Sequence, residues 1–170
     1  MTLPDGDEAG RSGAAMTAGM MQVVREQRLG FVATVNADGT PNLSPKGTFA
    51  VVDAATVAFA EIRSPGTLRN LAANPAVEVN FVDPFTRRGC RLFGTARIVK
   101  RSEAGFDGLL QFFADHGSLM ARTRAIVLVA VSRALPLSSP AYDDGATEEE
   151  LRRLWTGRFR ALQPDGRFTG

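Results

Sequence analysis

Apolar and polar positions along this chain switch between a helical and an alternating period, and the switches divide it into short elements. Met20, Met21, Val23, Val24 and Leu29 fall roughly on one helical face that ends at Gly30, predicting a helix near 18–28. Two β-rich runs follow in FVATVNADGTPNLSPKGTFAVV, around Asn36-Ala37-Asp38-Gly39. Asp-Gly between such runs is a hairpin signal. Pro45 and Gly47 interrupt the second run, so a bulged or irregular strand is expected there. Further strands are expected at Thr56–Glu61, Val77–Val82, Cys90–Lys100 and Ala125–Arg133. Helices are expected at Pro65–Ala73, Ser102–His116 and Thr147–Ala161, the first stopping at Asn74-Pro75 because proline pushes its predecessor out of the helical region. Six strands with hairpin spacing lack the β-α-β alternation of a parallel sheet. They predict a mainly β fold, an antiparallel barrel with packed helices.

No repeat or internal linker divides the chain, so a single domain is expected over 18–170. Residues 1–17, MTLPDGDEAGRSGAAMT, have no periodic apolar face and are expected to form a flexible N-terminal extension. Their early charges, Asp5, Asp7 and Glu8, do not resemble a secretory signal, and with the lone thiol this points to a cytoplasmic protein.

Composition narrows the chemistry. A net charge of +2 without a clustered basic stripe argues against a nucleic-acid partner. No apolar run approaches the roughly 18 residues of a membrane span. One cysteine, Cys90, excludes an intramolecular disulfide and a cysteine-rich zinc site; one histidine, His116, leaves no His-based metal cluster, so no metal is expected. No acid–base pair or nucleophile stands out, and catalytic residues stay unassigned.

What does stand out is a potential anion site. In Arg63-Ser64-Pro65-Gly66-Thr67-Leu68, Ser64 is a preferred N-cap and Pro65 suits the first helical position. The backbone N–H groups of Gly66, Thr67 and Leu68 would then face outward with the positive end of the helix dipole. Ser64 and Thr67 add hydroxyls, and Arg63 adds a bidentate fork suited to phosphate. A plain capped helix with surface arginines would read the same way. Lys46, in Ser44-Pro45-Lys46-Gly47, is a second cation inside a β-run, where lysine faces either solvent or a fixed negative group. A protected edge strand is the alternative.

The ordered set of a glycine-turn hairpin, Ser-Pro-Lys-Gly, Arg-Ser-x-x-Thr, Asn-Leu-x-x-Asn-Pro and Arg-x-x-Gly-x-Ala, from about Gly30 to Lys100, resembles the pyridoxamine 5′-phosphate oxidase-like, FMN-binding split-barrel superfamily. The resemblance implies a six-stranded antiparallel split barrel and a homodimer with FMN at the subunit interface. It implies that the FMN phosphate lies against Arg63, Ser64 and Thr67, with Lys46 approaching the phosphate or the flavin. Ser44, Pro45 and Gly47 would lie along the ring system, and Arg91 is carried over as a further candidate. Authentic pyridoxamine-phosphate oxidases carry a longer basic set and a C-terminal Arg and His pattern, so the resemblance is to the general flavin-nucleotide-binding branch. The implied activity is an FMN-dependent oxidoreductase acting on a small organic substrate by hydride transfer. The alternatives are a non-catalytic flavin-binding or storage protein, or a split barrel carrying a deazaflavin or haem.

Other features read as structural. His116 is expected to cap a helix C-terminus, Cys90 to be a buried inert thiol, and Thr147 followed by three glutamates to start a helix. Trp155 and Phe159, four apart, share a helical face and are expected to pack. An aromatic wall near a partner's flavin is the alternative for that pair.

Overall fold

A computed structural model of the chain describes residues 15–163. Helix α1 (Ala18–Gln27) begins at Thr17, whose hydroxyl accepts the Met20 N–H, and ends at Arg28 in the left-handed region. Of the expected extension, residues 1–14 lie outside the described residues. Met16 is buried in the core, and its N–H donates to the Ala54 carbonyl.

The strands are β1 (Gly30–Val35), β2 (Pro41–Lys46), β3 (Phe49–Asp53), β4 (Thr56–Glu61), β5 (Ala76–Val82), β6 (Gly89–Lys100) and β7 (Ala125–Leu137). They form one antiparallel sheet in the order β2-β1-β5-β6-β7-β4-β3. The irregular second strand expected around Pro45 and Gly47 is two strands, which makes seven rather than six. The break falls at Gly47-Thr48, and its two sides pair with opposite ends of the sheet. Consecutive Cα atoms lie about 3.8 Å apart, so two connecting residues span at most about 11 Å. The sheet must therefore curl until its two edges nearly meet, which makes it a barrel open along one seam.

Strands β6 and β7 run through both halves of this barrel, pairing β5 at one end and β4 at the other. Their register shifts between Phe93 and Gly94, where Ser132 is skipped and its hydroxyl donates to the Phe93 carbonyl. A side chain at Gly94 would run into the Ala130 carbonyl, so this bend between the halves needs glycine.

Inside the barrel, Val32, Phe59, Val79, Phe81, Leu92 and Val127 form the main core, closed on one side by Val24 of α1. The opposite face of β4 and β7 buries Ala58, Ala60 and Ile126 against Phe106 and Phe113. Covered on both faces, β4 is buried almost throughout. The helix expected over Ser102–His116 is instead α3 (Phe106–Leu110) followed by 3-10 turns over Gln111–Arg122, with non-helical backbone at Phe113 and Gly117. Gly105, Gly108 and Gly117 weaken a continuous α-helix there. His116 does not act as a helix cap; its Nε2 lies 3.4 Å from the Phe49 carbonyl oxygen.

Helix α2 (Pro65–Ala73) has the expected ends. Helix α4 (Glu148–Leu162) starts in a Thr147/Glu150 capping box and packs Phe159 on Phe85, in the turn between β5 and β6. Trp155 lies beside Phe159 and beneath the Arg87 guanidinium. Among the described residues, no helix is long and apolar enough to cross a membrane.

Candidate functional site

The seam of the barrel is where the expected anion-binding residues meet. Strand β2 ends at Lys46, and Gly47-Thr48 carries the chain across the seam. The Thr48 hydroxyl donates to the Ala60 carbonyl, 2.7 Å away on β4. Strand β4 in turn ends at Glu61, just before the Arg63-Ser64 turn into α2. A cleft of about 280 Å3 results, lined by Ser44, Pro45, Lys46, Gly47, Arg63 and Ser64 among others.

Alternation along β2 points Ser44 and Lys46 to the barrel side and Pro45 to the outer face. Lys46 is only 6% exposed. Its Nζ donates to Ser44 Oγ at 2.5 Å and to Thr67 Oγ1 at 3.3 Å, so Thr67 joins the site from α2. An ammonium carries three donors, and these two bonds leave one to spare. No carboxylate lies within ion-pair distance of Lys46 among the described residues. Burial pushes the Lys46 pKa below its ordinary value, and the nearby Glu61 charge opposes that shift. Opposite Lys46 on β1 stands Gly30, where a side chain would crowd the Phe49 and Phe81 rings.

The start of α2 differs from the expected cap. The Ser64 N–H donates to Glu61 Oε1, and the Ser64 side chain accepts no first-turn N–H. The Ser64 hydroxyl is therefore left for the cleft. Leu68 N–H is already used, donating to the Ser64 carbonyl at 3.4 Å, so Gly66 and Thr67 supply the remaining first-turn donors. Arg63 is exposed at the cleft's edge and forms no ion pair among the described residues.

Helix α2 is held over Lys46 by a side-chain network. Asn70 Nδ2 donates to Thr34 Oγ1 at 3.1 Å and to Asn36 Oδ1 at 2.9 Å, while Asn42 Nδ2 reaches the same Thr34 hydroxyl at 3.0 Å. The sequence reading missed Glu61 and Thr34. Glu61 ends an apolar run just before a helix, and that was its one available signal.

Arg91 is not brought into the cleft. It lies on the outer sheet face in the row Pro45, Phe31, Asn80, Arg91, three strand spacings or about 14 Å from Pro45. Its Nε is 2.9 Å from Glu78 Oε1. That contact is an ion pair by distance but not an aligned hydrogen bond, because Nε has no acceptor along its N–H direction. Cys90 is fully buried, and burial raises its thiol pKa to about 11, as suits an inert core residue.

The chemistry of this donor set suits a phosphate. It combines a dehydrated ammonium with one free N–H, two helix-start N–H groups, a free hydroxyl and an unpaired guanidinium at the rim. No curated protein sequence matches the chain. Among solved structures, a point variant of HupZ from Group A Streptococcus is 30% identical, with a TM-score of 0.63, covering 72% of this chain and 99% of that one. A pyridoxamine 5′-phosphate oxidase-related, FMN binding protein from Nostoc punctiforme is 13% identical, with a TM-score of 0.59 and coverage of 74% and 86%. An F420 reductase is 22% identical, with a TM-score of 0.56 and coverage of 71% and 98%. At such identities the last two are likenesses of fold. The family model described as pyridoxamine 5′-phosphate oxidase matches residues 16–137, from the buried Met16 to the end of β7. With the fold and the match both spanning the barrel, the chain belongs to the pyridoxamine 5′-phosphate oxidase-like split-barrel superfamily.

Proposed function

We propose that this protein binds FMN with its phosphate in the Lys46 cleft and acts as an FMN-dependent oxidoreductase on a small organic substrate. The observation that carries the reading is Lys46 itself. It is a buried cation whose partners among the described residues are hydroxyls only, with one donor unspent, set beside the start of a helix. Burying an ammonium without a contacting anion is costly, and a bound phosphate removes that cost. Ser44, Lys46, Ser64 and Thr67 would hold the phosphate, and Arg63 would close over it from the rim. When bound, the flavin supplies hydride transfer, and the protein supplies position and polarity.

The cleft, at about 280 Å3, falls just below the range for ligand pockets, about 300–1,000 Å3, so an FMN ring would extend beyond it. The outer sheet face offers the surface for that. Phe31, Leu43, Val82 and Leu135 are exposed there, Leu43 by 64%. Between them, Asn80 Oδ1 and Arg91 Nε are buried without aligned hydrogen-bond partners among the described residues. A second copy docking on this face would cover the apolar side chains and bring Arg91 toward the partner's cleft. This supports a homodimer with FMN at the subunit interface. A deazaflavin is the second reading, favoured by the fold likeness to the F420 reductase.

The test is the visible spectrum of the purified protein after desalting, followed by titration with FMN. Retained or restored flavin bands, with turnover of a nicotinamide donor against a quinone acceptor, are expected. Bound FMN without turnover would leave a storage protein. Deazaflavin bands or a haem Soret band would replace FMN, and a colourless protein that does not quench FMN fluorescence would overturn the reading.

A further inference from the structure

Glu61 is the most deeply buried charge beside the cleft, at 1% exposure. It closes β4 at the point where the chain turns toward α2. One carboxylate oxygen, Oε1, accepts the Ser64 N–H; the other, Oε2, is buried with no hydrogen-bond partner among the described residues. An unpartnered buried carboxylate oxygen is expensive unless its charge is used. We infer that Glu61 is a positioning residue of the anion site: its carboxylate fixes the start of α2 and holds the Lys46 charge in place from behind the cleft.

Three observations carry the inference, which rests on the proposed function in requiring an anion at Lys46. By taking the Ser64 N–H, Glu61 fixes the turn into α2, while the Ser64 hydroxyl caps no first-turn N–H and stays available to the ligand. By standing beyond ion-pair contact, it leaves the third Lys46 donor unspent, where a contacting carboxylate would consume it. It is also the charge that acts on Lys46. Strands β1 and β2 contribute no other charged side chain, and Arg63 in the turn and Arg69 on α2 are exposed cations. Burial drives Lys46 toward its neutral form, and Glu61 opposes this. The carboxylate thus keeps a dehydrated amine able to meet an anion.

Lys46 and Lys100 are the sequence's two lysines, so NMR of protein labelled with carbon-13 at lysine Cε gives one site resonance and one internal reference. In Glu61→Gln the Lys46 titration midpoint moves to lower pH while Lys100 stays, and the alkaline decline of FMN affinity moves down with it. Glu61→Asp keeps the charge and restores a midpoint near that of the unaltered protein, which covers the case in which the amide variant folds poorly. An unchanged Lys46 midpoint in Glu61→Gln, or an equal shift in Glu61→Asp, would overturn the inference. A Lys46 midpoint that moves as expected in a protein that binds FMN at no pH would defeat the FMN reading and leave the Glu61–Lys46 coupling standing.

Discussion

Replacing Lys46 with methionine removes the charge but keeps an unbranched side chain of similar reach, so it isolates what the ammonium does. Lys46 is 6% exposed before any ligand arrives, so most of the desolvation cost of its contact with phosphate is already met by folding. A hydrogen bond to a charged group contributes about 1.5–3 kcal/mol. The gross attraction between two unit charges 4 Å apart at an effective dielectric of 20 is about 4 kcal/mol. The loss should fall at about 2–3 kcal/mol, a roughly 30- to 150-fold rise in Kd at 1.4 kcal/mol per tenfold. Fluorescence quenching of FMN titrated with protein measures it, with Lys100→Met, at an exposed strand end, as the charge-matched control. Since no ion pair contacts Lys46 among the described residues, the variant should stay folded, with a Tm that permits the comparison. A folded Lys46→Met protein that binds FMN within about twofold of the original would refute the reasoning behind these magnitudes.

Burial holds the Lys46 pKa below its ordinary 10.5, so between the two values the unfolded chain binds more protons than the folded one. Stability without ligand should therefore rise with pH through that window relative to Lys46→Met, while FMN affinity falls; urea titrations across the window check the sign. The Cys90 thiol, fully buried with a pKa near 11, should resist alkylation at pH 8 in the native protein and react only on unfolding; mass spectrometry showing equal rates in both states would contradict its placement. Gly89→Ala should destabilise by about 3 kcal/mol or more, because its Cβ would run into the Phe81 carbonyl across the β5–β6 pair, and a urea midpoint near the original would exclude that clash.

Local signals were legible and nonlocal ones were not. Both ends of α2 follow from Ser-Pro and Asn-Pro, and the first hairpin from Asp38-Gly39, because each depends on a few adjacent residues. The split at Gly47-Thr48 depends on β2 pairing with β1 while β3 pairs with β4, which no local pattern of Pro45 and Gly47 distinguishes from a bulge. Strand β7 runs past the expected Arg133 to Leu137, through Pro136, because β6 supplies a partner along its whole length. In the site, Lys46, Arg63 and Thr67 were readable as cations and hydroxyls in unusual places. Glu61 was not, since a carboxylate ending a strand usually faces water, and only the tertiary fold buries it against the Ser64 N–H. Arg91 was assigned from the family pattern, and only the register reveals that it lies on the outer face.

The central claim is that the Lys46 cleft binds a phosphate, and comparing FMN with riboflavin isolates that group. The two ligands share the ring system and the ribityl chain and differ only in the phosphate. Titrated against the same protein, FMN should bind at least about 100-fold tighter, in keeping with about 3 kcal/mol from the charged contacts, and Lys46→Met should remove most of that difference. Equal affinities for FMN and riboflavin would contradict the account.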